Sequence, residues 1–313
     1  MKKLISIIVA VLLIASCGQS YEESKRLSRE QRREAMRKDS AALKIAVLPT
    51  LDCLPLYVAH HYELFDTLNG GVRLKLYHAQ MDCDTAIQRG RVEGFVTDLV
   101  RAMRIDQQGV KMRYVAATNA YWQLVTNRNA RIKQLKQLDD KMVAMTRFSA
   151  TDMLTDMARD TVKLPAERVY KVQINDLNVR MQMLLNNEID ALWFTEPQAT
   201  MARIMKNPVV MDSRDVKLQL GVMAFRDKEM QRKERAKQLS LLIKAYNQAC
   251  DSINKHGVIY YRDILREHFK MKRNVIDSLP NNLRYQHAVG PRQEDIALVE
   301  QWLGAQQSVN KKQ

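Results

Sequence analysis

The sequence predicts an α/β protein with two lobes, each built on a mostly parallel sheet that helices cover on both faces. Strand-like apolar segments alternate with helical segments over residues 43–118, and the alternation starts again at residue 121. A faint internal echo supports two lobes, because "VEGFVTDLVRAM" (92–103) matches "IDALWFTEPQATM" (189–201). Each copy places a Thr and an acid after an apolar strand. If the lobes face each other, both acids, Asp98 and Glu196, look into the gap between them.

The first lobe is predicted to begin with four strands and three helices. Pro49 stops the first strand, Pro55 suits the start of the first helix, and Gly90 is a natural C-cap. In such sheets, ligands lie outside the carboxyl ends of the strands. The strands are "LKIAVLP" (43–49), "VRLKLY" (72–77), "GFVT" (94–97) and "KMRYVAAT" (111–118), and the helices are "PLYVAHHYELF" (55–65), "CDTAIQRG" (83–90) and "DLVRAMRI" (98–105).

The second half repeats the pattern and ends in helices. Predicted helical segments close the chain at 227–255, 260–269, 272–278 and 292–303. The strands are "YWQLVTN" (121–127), "KMVAMT" (141–146), "RVYKVQ" (168–173), "DALWF" (190–194) and "LQLGVMAF" (218–225), and the helices are "SATDMLTDMARD" (149–160), "DLNVRMQMLLNNE" (176–188) and "PQATMARIM" (197–205).

The N-terminal segment has the layout of an export signal. Lys2 and Lys3 precede an apolar run that is too short to span a bilayer, and the run ends in "IASC". This ending resembles a bacterial lipobox, which implies that residues 1–16 are a signal peptide and that Cys17 carries a lipid. We therefore expect a protein anchored by lipid in the cell envelope and facing the periplasm or the exterior, with residues 17–42 as a tether.

The net charge of the chain is +15, which falls to +13 once Lys2 and Lys3 leave with the signal peptide. Part of the excess is local, because residues 24–38 hold seven Lys or Arg and two Glu. We interpret this stretch as a solvated tether, where each basic residue adds ~1 kcal/mol of attraction to an anionic membrane surface. A basic chain can also indicate a protein that binds nucleic acid. We expect no nucleic-acid partner here, because the predicted lipoprotein is exported.

The body of the chain resembles the substrate-binding proteins of ABC importers, in the branch that serves nitrate, sulfonates, taurine and thiamine-pyrimidine precursors. The resemblance covers residues 43–303, and the order and spacing of its segments carry it. They include "CDTAIQRGRVEGFVTD", "LKQLDDKMVAMTRFSATDML", "LLNNEIDALWFTEPQA" and "LGVMAFRD". It implies a type 2 periplasmic-binding-protein fold with a ligand cleft between the lobes. Lobe one is then 43–120 plus 224–313 and lobe two is 121–223, with crossings at 114–121 and 220–225.

Two positions depart from the pattern of that family. Glu63 stands where a Gly usually precedes the Leu-Phe that ends the first helix, and a non-Gly residue in a left-handed cap costs ~1 kcal/mol. The loop "RFSAT" (147–151) has no Gly, which weakens the transfer of the family's anion site. Arg147 with Ser149 and Thr151 at a helix start still favours an anion.

By resemblance, the loops after the strands line the cleft, and their side chains are mainly acidic and aromatic. Aromatic faces accept flat rings and carboxylates accept N–H groups, which favours a heteroaromatic or amine-bearing solute. We expect no metal or cofactor. The predicted ligand-binding residues are Asp52, Gln80, Asp82, Asp98, Tyr121, Phe148, Ser149, Thr151, Trp193 and Glu196.

Most of these residues also have a structural interpretation. Asp82, Asp98, Ser149 or Thr151 could be plain helix caps, and Trp193 could be core. Glu196 is different, because Glu is a poor N-cap, and if Pro197 opens the helix then Glu196 would be that cap. We therefore interpret the Glu196 carboxylate as a ligand acceptor. Cys53 and Cys83 follow neighbouring strands, so a disulfide between them remains open.

The function that the sequence favours is capture of a small solute between the lobes and delivery to permease subunits, by a monomer that performs no chemistry. Three alternatives stay open. They are a binder of sulfonate, taurine or nitrate, a sensor lipoprotein, and an enzyme like the thiamine-pyrimidine synthases that share this fold. The synthases carry a CCCFC motif, which this sequence lacks.

Overall fold

The computed structural model describes residues 21–66 and 71–310, with side chains for 25–66 and 71–306. Within these ranges ten strands form two five-stranded sheets. They are β1 (Leu43–Val47), β2 (Val72–Leu76), β3 (Gly94–Asp98), β4 (Met112–Ala117), β5 (Gln123–Thr126), β6 (Lys141–Met145), β7 (Val169–Gln173), β8 (Ala191–Phe194), β9 (Val209–Asp212) and β10 (Gly221–Arg226). The sequence analysis missed β9, a four-residue strand that directly follows Pro208.

Every predicted helix is present, although the segment 227–255 is interrupted at residues 231–232. Among the described residues, no helix is both long and apolar enough to cross a membrane. The helices are Tyr21–Ala41, Leu54–His61, Gln80–Gln88, Leu99–Gln107, Ala150–Thr161, Leu177–Leu185, Gln198–Ile204, Asp227–Met230, Lys233–His256, Arg262–Glu267, Arg273–Ile276 and Gln293–Asn310.

The two sheets have the same plan. Sheet one runs β2-β1-β3-β10-β4 and sheet two runs β7-β6-β8-β5-β9. In each, three parallel strands are followed by a strand that runs antiparallel to both of its neighbours, β10 in one sheet and β5 in the other. The strands of the sequence echo, β3 and β8, both hold the third position. The fold is therefore the two-lobed α/β architecture that the sequence predicts.

The strand pairing locates the connections between the sheets. Gly221 to Met223 pair with Asp98, Thr97 and Val96 of β3, so β10 belongs to sheet one along its whole length. The chain thus passes between the sheets at residues 118–122 and 213–220. The first connection overlaps the predicted crossing 114–121, which also included the end of β4. The second connection ends at residue 220, where the predicted crossing 220–225 began, and most of that predicted crossing is β10.

The lobes are in contact in this structure. One apolar cluster includes Phe95 on β3 together with Leu124 and Val143 of sheet two, all fully buried. The C-terminal helix also bridges the lobes, because Trp302 Nε1 donates to Asp156 Oδ2 at 3.0 Å. These contacts describe a closed arrangement.

Both departures from the family pattern keep a left-handed backbone without Gly. Glu63 has φ 52° and Phe148 has φ 53°. At Glu63 the helix still ends in the expected way, since Leu64 N donates to Ala59 O at 2.9 Å. At Phe148 the loop is held by a bond from its own N–H to Asp152 Oδ2 at 2.8 Å. Each of these two residues therefore has a strained backbone conformation, which lowers stability slightly at its turn.

Candidate functional site

A cavity with about 690 Å³ of empty volume lies between the carboxyl ends of the strands of the two sheets. This is the position expected of a small-molecule site in such a fold. Six of the predicted residues line it, namely Asp52, Gln80, Asp98, Ser149, Thr151 and Trp193.

The other four predicted residues lie elsewhere. Tyr121 and Glu196 line a smaller neighbouring cavity, and Phe148 lines an outer one. Asp82 is exposed in the first turn of its helix and lines none of these cavities. Its predicted role as an N-cap is wrong, because the helix begins at Gln80 and Ala79 is the N-cap.

Asp98 joins the N-termini of two helices. It is the N-cap of Leu99–Gln107, where Oδ1 accepts from Arg101 N at 3.0 Å. The same oxygen accepts from Ala150 N, at the start of the helix Ala150–Thr161 in the other lobe, at 3.1 Å. Burial raises the pKa of Asp98 to about 6, although Arg101 acts to lower it. The predicted cap is confirmed, and its carboxylate also fills the place where an anion would meet the second helix.

Asp52 is the second carboxylate of the cavity wall. It lies in the short turn Leu51–Cys53 after β1, and Thr118 Oγ1 lies at a long 3.4 Å from Oδ2. Burial raises the pKa of Asp52. No Lys or Arg of the described residues forms an ion pair with it. Hydrogen bonds from Thr50, from Thr118 and from the backbone N–H groups of Asp52 and Cys53 act to lower that pKa. Asp52 is thus a carboxylate that is hydrogen-bonded within lobe one but has no cationic partner in the described part of the chain.

Two buried arginines complete the cavity, and the sequence analysis missed both. Arg101 pairs with Asp84 and Asp98, so lobe one neutralises it. Arg180 is only 2% exposed and donates to the Ile174 carbonyl at 2.6 Å, the Trp193 carbonyl at 3.1 Å and Thr146 Oγ1 at 2.5 Å. Their positions in the sequence could have identified them as cavity residues, because each Arg lies in the first turns of a helix that follows a strand.

Arg180 has no carboxylate partner among the described residues. Burial lowers the pKa of its guanidinium to about 9, and the charge of Arg101 adds to this. A guanidinium has five N–H donors, so three bonds leave capacity for an acceptor atom in the cavity. The cavity therefore offers acceptors at Asp52 and donors at Arg180.

The helix start at Ser149 is satisfied internally. Ser149 accepts from Thr151 N at 3.1 Å and donates to the Thr146 carbonyl at 2.6 Å, and Thr151 Oγ1 accepts from Thr146 N at 2.9 Å. The predicted cap at Ser149 is confirmed. These hydroxyls shape the loop "RFSAT", and with Ala150 N bound to Asp98 little of the helix start is free for an anion.

Trp193 is fully buried, and its Nε1 donates to Thr155 Oγ1 at 2.9 Å. Its ring thus serves as core and as cavity wall together. Trp122, in the first connection, also lines the cavity and is only partly buried. Of the two, Trp122 has more surface available to a flat solute.

Glu196 is 3% exposed and bonded through both oxygens. Oε1 accepts from Arg203 Nη2 at 2.7 Å and from the Tyr121 hydroxyl at 3.2 Å, and Oε2 accepts from Thr200 N at 2.9 Å. The expectation that Pro197 opens the helix is wrong, because Pro197 is the N-cap and Gln198 the first helical residue. Glu196 lies one residue before the N-cap, and its carboxylate accepts from the Thr200 N–H in the first turn of the helix.

Cys53, Cys83 and Cys250 are buried free thiols. The disulfide that the sequence left open between Cys53 and Cys83 is not formed. Burial raises the pKa of all three, which makes them poor nucleophiles.

A sequence profile of the family described as NMT1/THI5 like matches residues 50–256, about two thirds of the chain. The chain belongs to this family. The matched range contains every residue that lines the main cavity except Leu48. A sequence search of curated proteins finds no match.

Solved structures share the fold of this NMT1/THI5-like protein at low identity. The ligand-binding component of an ABC-type import system from Staphylococcus aureus aligns with a TM-score of 0.69 and 18% identity, over 83% of this chain and 91% of that one. The aliphatic sulphonate binding protein SsuA from Escherichia coli gives 0.70 and 14%, over 86% and 92%. The nitrate-binding protein NrtA from Synechocystis gives 0.66 and 14%, over 82% and 74%. These likenesses establish the fold of two lobes around a cleft.

Proposed function

We propose that this protein is the solute-binding component of an ABC importer. It captures a small solute between its lobes and presents it to permease subunits, without chemistry of its own. The family match and the fold support this role, and so do the similar structures, which include a component of an ABC-type import system and binding proteins for sulphonate and nitrate. The absence of the CCCFC motif counts against the synthase alternative.

The solute that we propose is heteroaromatic or amine-bearing, of the kind exemplified by a thiamine-precursor aminopyrimidine. The position of the Asp98 carboxylate favours this class of solute over a small anion. It already accepts the hydrogen bond of Ala150 N, at the helix start where a small anion would bind. Asp52 then accepts from an amine or ring N–H of the solute, Arg180 donates to a ring nitrogen or carbonyl, and Trp122 lies against the ring.

This proposal changes the role of Glu196. Its carboxylate is fully bonded within the protein, so Asp52 replaces it as the proposed acceptor for the solute. Gln80 and Asp98 complete the proposed wall from lobe one. The wall from lobe two includes Ser149, Thr151 and Trp193, whose side chains are held in place by hydrogen bonds within that lobe.

A second candidate is a small anion such as a sulfonate, taurine or nitrate. Arg180 favours it, since a buried cation without a carboxylate partner is stabilised by a bound anion. Such an anion would have to bind beside Asp98 and Asp52, and their like charges oppose it.

We further propose that a lipid on Cys17 holds the protein at the membrane as a monomer, on the outer side of the cytoplasmic membrane or beyond it. Cys17 and the signal peptide lie outside the described residues. Most of the predicted tether forms the helix Tyr21–Ala41, which a single residue separates from β1 and which is largely exposed over residues 25–38. The sensor alternative differs only in the partner protein that binds the closed form, which would be a signalling protein in place of a permease.

Native mass spectrometry of protein purified without refolding tests the proposal, followed by calorimetric titration with aminopyrimidines, taurine, alkylsulfonates and nitrate. We expect a co-purified or added amine-bearing heteroaromatic to bind most tightly, and Asp52→Asn to weaken it. Preferential binding of a sulfonate or nitrate would show that the solute class is the second candidate. Binding of no small solute by the intact, folded protein would contradict the importer role itself.

A further inference from the structure

An outer cavity opens beside the main one and has about 810 Å³ of empty volume. Arg101 and Thr146 line both cavities, so the two share a wall. The outer cavity is also lined by Arg104 from lobe one and by Arg147 and Phe148 from lobe two. Nothing in the proposed binding of the solute ring uses these three side chains.

Three guanidinium groups meet at this cavity, and only one is neutralised. Arg101 pairs with Asp84 and Asp98. In the part of the chain that the structure describes, neither Arg104 nor Arg147 forms an ion pair. Burial lowers the pKa of Arg104, and the charges of Arg101 and Arg147 lower it further. Asp84 also lines the cavity and acts to raise the pKa of Arg104, but it is already paired with Arg101. The three arginines therefore outnumber the single acid in the cavity wall.

The two unpaired arginines approach the same aromatic ring from different lobes. The Arg104 guanidinium carbon lies 4.1 Å from the centroid of Phe148 and that of Arg147 lies 5.5 Å from it. Phe148 is fixed in a left-handed conformation by its bond to Asp152. A stacked guanidinium keeps its in-plane N–H donors directed outward, which suits bidentate binding of an oxyanion.

We propose that the outer cavity binds an oxyanion group, such as a carboxylate, sulfonate or phosphate, between Arg104 and Arg147. The inference rests on the proposed function in one respect, because the shared wall would let an anionic substituent reach the outer cavity from a ring in the inner one. A free oxyanion has the same chemistry and is the other source. In either case the bound group joins the two lobes by contacting one Arg from each.

The test titrates the full chain with inorganic phosphate and inorganic sulfate, and separately with an aminopyrimidine and its carboxylated counterpart. Arg147→Gln is the first variant, because this side chain is exposed and its loss leaves no buried group unpaired. Arg104→Gln is the second. Arg273→Gln, whose side chain is 92% exposed on a distant segment of sequence, removes the same charge as a control.

We expect Arg147→Gln and Arg104→Gln each to weaken oxyanion binding roughly 10- to 100-fold, and Arg273→Gln to leave it unchanged. If the carboxylated aminopyrimidine binds more tightly than the plain one and Arg147→Gln removes the difference, the substituent is the source. If phosphate or sulfate binds alone and depends on Arg147, a free oxyanion is the source.

Failure of this inference is distinct from failure of the proposed function. The outer site is disproved if no phosphate, sulfate or carboxylate affinity responds to Arg147→Gln or Arg104→Gln, even when the plain aminopyrimidine binds. If no aminopyrimidine binds but phosphate or sulfate does so through Arg147, the outer site stands and the proposed solute is wrong.

Discussion

The Asp98 carboxylate accepts a hydrogen bond from the backbone N–H of Ala150, at 3.1 Å, and so ties the first helix turn of one lobe to a strand end of the other. The bond crosses the cleft beside the proposed solute site. The protein thus holds a carboxylate of its own at the helix start that could otherwise receive an anion. The predictions on closure and on pH follow from this contact.

Closure of the lobes is expected to depend on this contact. Asp98→Ala removes the carboxylate and leaves Ala150 N without its partner, so the ligand-free variant should populate a more open form than wild type. Small-angle scattering should show a larger radius of gyration for the variant, and a smaller difference once a solute is bound. Identical scattering curves for both proteins would mean that other contacts alone fix the closed form.

The stability of the protein should depend on pH through Asp98. Its native pKa of about 6 lies above the ordinary value of 3.8, so the native state binds this proton more tightly than the unfolded state. The stabilisation from that proton is complete below the unfolded pKa and is lost as the pH rises through about 6. Relative to Asp98→Asn, the free energy of unfolding of wild type should therefore fall by about 3 kcal/mol between pH 3 and pH 7.

Denaturant unfolding across this range measures the effect. Asp176→Asn is the matched control, because Asp176 also caps a helix through Asn178 N and Val179 N but makes no described contact with the other lobe. Arg101 and Asp84, which act on the pKa of Asp98 in wild type, are unchanged in Asp98→Asn. Parallel pH profiles for wild type and Asp98→Asn would show that the buried carboxylate keeps an ordinary pKa.

Glu196→Gln should lower stability and spare binding. The amide would present an N–H group to Arg203 or to Thr200 N in place of an acceptor, and we expect a loss of about 1–3 kcal/mol in the free energy of unfolding. Solute affinity should stay near wild type, because the carboxylate does not line the main cavity.

Asp52→Asn is the reverse case. Burial raises the pKa of Asp52, so a neutral amide costs little stability, while an amine-bearing solute loses a charged acceptor and should bind roughly tenfold or more weakly. Denaturant unfolding and calorimetry on the same two variants separate the roles. Loss of affinity in Glu196→Gln at unchanged stability would restore Glu196 as the ligand acceptor.

The cysteines are expected to be free and slow to react. Alkylation of the folded protein should leave the peptides that contain Cys53, Cys83 and Cys250 unmodified, and alkylation in denaturant without reductant should modify all three. Peptide mapping by mass spectrometry reads both results. A linked peptide pair of Cys53 and Cys83 would show that the protein forms the disulfide.

Lipid anchoring at Cys17 stays a prediction from "LLIASC". Cys17→Ala should release the protein from membranes or stop its processing, because it removes the sulfur that would carry the lipid. Membrane fractionation and intact-mass measurement test this. Unchanged retention and maturation of the variant would argue against the anchor.

The sequence alone determined the two-lobed plan, the order of the strands and helices apart from β9, and the caps at Asp98 and Ser149. Asp98 and Ser149 could be recognised as caps because capping joins residues two or three positions apart, and β3 and β8 could be matched because the echo is a local pattern. The missed strand β9 was too short to show a period, and it forms because β5 offers it a free edge.

Only the tertiary structure decided which polar groups are free to bind. Two bonds show this. Ala150 N lies 52 positions from Asp98 and reaches it across the lobes, and the Tyr121 hydroxyl lies 75 positions from Glu196 and reaches it through tertiary packing. The same packing buried Arg180 without a carboxylate partner from the described chain, in the wall of the cavity that Asp52 also lines. Local pattern cannot encode these pairings, because hydrogen bonds between distant segments and the burial that shifts a pKa depend on how whole elements come together.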